Sequence, residues 1–166
     1  MVMTDIEIKI NIIKRKIADV EEADFVYLNK GVQQLRHDVL YLHTSLEATI
    51  DKKIIQYFLK SAGMSAQDIQ KKVDFSHNFR MILNEMDFSK KLKVVEVQKL
   101  LPKEIISKFF KVNDLRVHFA HPTSYRSKLI LYQHPKKMLG AYEILSDVLV
   151  AMEEAGINDR PLTKIK

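Results

Sequence analysis

The sequence predicts an all-α protein, a single-domain helical bundle of five or six helices. Three observations carry this reading. Glycine and proline are scarce, with four of each in 166 residues. Alternating strands closed by Asn-Gly or Asp-Gly turns are nearly absent. Apolar residues instead recur at three- and four-residue steps over long stretches, the period of helices with one buried face. A chain of this length suits one domain and can bury about two thirds of its unfolded surface. The domain is expected over residues 1–156, with 157–166 as a polar tail.

The first helix is announced by "TDIE", which places Thr4 at an N-cap and Glu7 three residues on, a capping box. Ile6, Ile10, Ile13, Ile17 and Val20 then form one stripe, and the helix is expected to run to about Tyr27. "NKG", from Asn29 to Gly31, is expected to break it. A long central helix follows from Val32 to Ser61, with Leu35, Val39, Leu42, Leu46, Ile50, Ile54 and Tyr57 inward. Leu40, Ile55 and Phe58 widen that stripe. Gly63 stands where a C-terminal cap belongs.

Between Ser65 and Leu100 the spacing predicts two helices and then a third segment. "SAQDIQKKV" reads as a short helix capped by Ser65. "DFSHNFRMILNEM" reads as another, with Phe75, Phe79 and either Ile82 or Leu83 inward. "DFSKKLKVVEVQKLL" suits a helix through Leu92, Val95 and Leu100, although "KVVEV" alone also fits a strand. Pro102 then suits a helix start, because a first-turn residue needs no N–H. Ile105, Phe109, Val112 or Asn113, Arg116 and Ala120 share one face of this helix. Pro122 disfavours helical geometry at His121, which ends it. Pro122 to Lys137 is irregular, and "SKLILYQ" within it can be extended. The last helix runs from Lys136 to Ala155, with Met138, Ala141, Leu145, Val148 and Met152 inward and Gly156 beyond.

Composition narrows the function. Cysteine is absent, which excludes disulfides, thiolate zinc sites and cysteine nucleophiles. No apolar run approaches the roughly 18 residues of a membrane span. The N-terminus lacks the pattern of a signal peptide, so a cytoplasmic protein with no membrane partner is expected. The formal charge is +6, a tilt toward polyanions such as RNA or nucleotides. Phosphate-binding glycine loops, "GxSxG" and "HExxH" are all missing, so no motif asks for a cofactor. His118 and His121 are three apart and can share a helix face. A zinc site would need a third ligand, and no spacing ties His37, His43, His77 or His134 to the pair.

The stretch "DLRVHFAHP", Asp114 to Pro122, holds a different constellation. Arg116 offers a planar, permanently charged fork that matches phosphate oxygens. His121 titrates near neutrality and can move a proton in either direction. Together they suffice for cleaving RNA without metal. His121 would act as base on the 2′-hydroxyl or as acid on the leaving oxygen, and Arg116 would stabilise the charged transition state. DNA lacks that hydroxyl. Arg36 and His43 form a looser version with six residues between them, in mid-helix. Five helical residues turn through about 500°, which leaves Arg116 and His121 about 140° apart. Convergence is simpler across a two-fold dimer. The competing structural roles are an ion pair of Arg116 with Asp114 or Glu104, and His121 as a cation at a helix C-terminus.

"LRVHFAHP" resembles the signature of the HEPN superfamily, helical domains whose motif is an arginine, four to six residues, and a histidine. "LHTSLEATIDKKIIQYF", Leu42 to Phe58, looks like the long second helix of such proteins. "MDFSKKLKVVE", Met86 to Glu96, looks like their next segment. The likeness spans Val32 to Pro122. It implies a HEPN-like bundle that dimerises and brings two motifs together, with Arg116 and His121 as the active pair. Many members are metal-independent endoribonucleases of toxin–antitoxin, abortive-infection or other defence systems, which makes an antitoxin protein a candidate partner. Others are inactive modules that bind nucleotide, RNA or protein. The family often has Asn, Asp or His after the arginine, where this chain has Val117. Asp114, His118 and Asn113 are the nearby polar candidates for supporting roles. A helical transcriptional regulator is the remaining alternative, although no clear recognition helix is evident.

Overall fold

The computed structural model describes residues 5–22, 28–63, 68–120 and 132–157. Among these residues there are six α-helices and no strand, the expected all-α bundle. They are α1 (Asp5–Glu22), α2 (Leu28–Ser61), α3 (Ile69–Asn84), α4 (Phe88–Val97), α5 (Lys103–Ala120) and α6 (Pro135–Glu154). The Thr4 cap, the end of the first helix near Tyr27 and the Ser65 cap lie outside the described residues.

α2 is the central element. It spans 34 residues, about 50 Å of helix, and packs on α3, α4, α5 and α6. Leu35, Val39, Leu42, Leu46, Ile50 and Ile54 are all buried along its length. α5 packs on α2, α4 and α6, and α1 lies mainly against α6. At the junction of α1, α2 and α6, Asp38 accepts from Lys16, Gln34 and the Tyr142 hydroxyl. All five expected inward residues of α6 are buried.

Three expectations are corrected, and one open alternative is resolved. Asn29 to Gly31 do not break the chain between helices but lie in the first turn of α2. A glycine costs less there than in a helix interior, because its backbone entropy loss is smaller near a helix end. Its missing side chain also admits Met138, whose Sδ and Cε would stand 3.2 Å from a Cβ at Gly31. The two middle helices are one, α3, since neither glycine nor proline interrupts Ile69–Asn84, and its inward residues Phe79 and Leu83 pack on the core. Leu83, and not Ile82, is the inward residue, at 1% against 57% exposure. Ile157, assigned to the tail, is buried. Gly156 takes φ +63 after α6, so the Ile157 N–H bonds back to the Met152 carbonyl at 2.8 Å and folds Ile157 onto the core.

α4 settles the helix-or-strand ambiguity of "KVVEV". The Asp87 side chain caps it by accepting from the Lys90 N–H at 2.9 Å. Phe88, Lys91, Leu92 and Val95 are its buried face. It ends as α6 does, with the Leu100 N–H bonded to the Val95 carbonyl at 3.0 Å, but here the residue at positive φ is Lys99, at +52.

Candidate functional site

A polar seam runs where α2, α4 and α5 meet. Asn113 on α5 is 8% exposed and sits among Phe109, Val112 and other core residues. Its amide nitrogen donates to Ser89 Oγ at 3.1 Å, so its carbonyl oxygen is the acceptor for His43 Nε2 at 3.3 Å. His43, on α2, is buried and presents its ring edge-on to Phe88, with centroids 4.5 Å apart. Burial lowers the pKa of His43 below its ordinary value, and the Arg116 guanidinium adds to this. Glu47 and the Asn113 bond oppose the shift, and Lys91 reinforces it. His43 is therefore neutral near pH 7.

Below His43 on the same seam, Lys91 of α4 is almost wholly buried. Its Nζ lies 2.7 Å from Glu47 Oε1 and 3.0 Å from Asp51 Oδ1, both on α2. The Asp51 Oδ1 contact is Coulombic, and the aligned hydrogen bond goes to Oδ2 at 3.2 Å. Burial raises the Asp51 pKa, and Lys91 pulls it back down.

Arg116 stands one helical turn beyond Asn113 on α5 and is half-exposed. No carboxylate of the described residues pairs with it, so neither Asp114 nor Glu104 takes the ion-pair role expected of them. Asp114 is exposed, and Val117 is half-exposed. His118 is half-exposed, with Nδ1 2.8 Å from the Tyr132 hydroxyl. His121 lies outside the described residues, directly after the last residue of α5.

Of the sequence candidates, the fold thus brings Asn113 against His43, which came from the other arginine–histidine spacing, and sets Arg116 within Coulombic reach of that histidine. Lys91, Ser89 and Tyr132 were not singled out by sequence. Lys91 had a signal, because it falls on the Phe88–Leu92–Val95 stripe where a solvated lysine has no place. Among the described residues no group of three His, Asp or Glu side chains stands ready for a metal ion. An apolar groove of about 230 Å³, lined by Ile12, Tyr41, Leu145 and Leu149, lies between α1, α2 and α6 and shares no residue with the seam. No helix among the described residues is long and apolar enough to cross a membrane.

The fold and seam define an all-α bundle with a half-exposed arginine within Coulombic reach of a buried histidine–asparagine pair. Compared with known protein families, curated proteins and solved structures, the chain matches none.

Proposed function

We propose that this chain is a metal-independent endoribonuclease of the HEPN type, working as a homodimer with Arg116 and His121. One observation carries the reading. Arg116 is half-exposed near the end of α5 with its charge unmatched by any described carboxylate, the state an arginine needs in order to receive a phosphate. The neutral His43 beside it adds no competing charge. The resemblance of "LRVHFAHP" supplies His121 as the proton carrier. A toxin or defence role, with an antitoxin as partner, follows from that resemblance alone.

A second reading is a non-catalytic module that binds RNA or nucleotide. It is favoured by Asn113, which is buried and already bonded to His43 and Ser89, and by the apolar Val117, so fewer polar groups remain for chemistry. RNA cleavage in EDTA separates the two. Cleavage that both Arg116→Ala and His121→Ala abolish, in folded variants, establishes the ribonuclease. Retained RNA binding without cleavage by the wild type establishes the binding module.

A further inference from the structure

Tyr132 precedes α6 and is 8% exposed. Its ring lies 4.8 Å from that of Phe119, and its hydroxyl lies 2.8 Å from Nδ1 of His118. Both partners belong to the last turn of α5. His118 is the one hydrogen-bond partner of this hydroxyl among the described residues. Burial raises the phenol pKa, which keeps the hydroxyl neutral.

The last turn of a helix is where its carbonyls lack partners and where it frays. Here that turn carries His118, Arg116 stands two residues before it, and His121 follows Ala120 directly in the sequence. A displacement of about 1 Å at such groups can cost on the order of 100-fold in rate. We propose that Tyr132 is a positioning residue, clasping the end of α5 through His118 and Phe119 so that Arg116, two residues before His118, keeps the place cleavage needs. The proposal rests on the ribonuclease reading. It gives His118 a structural task at the site, in place of a direct one.

The test is Tyr132→Phe, which keeps the ring on Phe119 and removes only the hydroxyl. His118→Ala removes the same bond from the half-exposed side and serves if Tyr132→Phe does not fold. Each is measured for Tm, RNA affinity, kcat and KM, alone and combined. The expected result is a kcat lowered about tenfold or more, with KM and RNA affinity within about twofold. The double variant should be no worse than the poorer single one, because the two side chains act as a unit. Wild-type kcat in folded Tyr132→Phe, or a raised KM alone, overturns the positioning role and leaves the ribonuclease standing. A wild type that cleaves no RNA overturns both.

Discussion

Nε2 of His43 on α2 lies 3.3 Å from Oδ1 of Asn113 on α5, two buried polar groups from segments 70 residues apart. The bond is one of a chain that continues to Ser89, and each member satisfies the next. Asn113→Ala should therefore cost about 1–3 kcal/mol, since it leaves the His43 N–H and the Ser89 hydroxyl without their partner. Asp114→Ala, one residue on and exposed, should change stability by less than about 0.5 kcal/mol. Urea unfolding of both variants checks the contrast, and equal effects would refute the seam.

His43 makes the fold acid-sensitive in a defined direction. Its pKa is lowered from 6.5 in the folded protein, so below that pH the unfolded chain binds a proton more readily than the folded one. Its contribution is absent well above pH 6.5 and grows as destabilisation when the pH falls from there toward the folded pKa. His43→Gln removes this term. The wild type's stability advantage over His43→Gln should shrink between pH 7.5 and pH 5, and an advantage that grows would show that His43 charges favourably when folded.

Lys91 carries a buried charge whose removal strands two others. Lys91→Met should destabilise by about 2–4 kcal/mol, because Glu47 and Asp51 remain facing one another at 35% and 20% exposure. Replacing all three at once, with Glu47→Gln and Asp51→Asn added, should recover most of that loss. Chemical denaturation of the single and triple variants reads the difference directly.

Lys99 holds φ +52, a conformation that costs a side chain roughly 1–2 kcal/mol. Lys99→Gly relieves it at some expense in unfolded-state entropy. A net gain of about 0.5–1 kcal/mol is expected, seen as a higher denaturation midpoint. Gly156→Ala, at φ +63, should move the other way.

Much of this fold was legible in order along the chain. The stripes of α2 and α6 appear because a helix repeats every 3.6 residues, so burial on one face is written as spacing within a single segment. Where the reading slipped, a local breaker signal met a tertiary contact. Gly31 reads as a stop, yet Met138 of α6 fills the space it leaves. The two helices expected between Ser65 and Met86 continue as one, α3, with no glycine or proline between Ile69 and Asn84 to stop it.

The sequence by itself determined the all-α class, the inward faces of α2 and α6 and the Arg116 end of α5, because each depends on residues within a few turns of one another. Only the tertiary structure decided which polar groups meet. It brought His43 to Asn113 and within the field of Arg116, Lys91 to Glu47 and Asp51, and Tyr132 to His118. Such pairings depend on how helices pack across one another, and the period of no single helix contains that information.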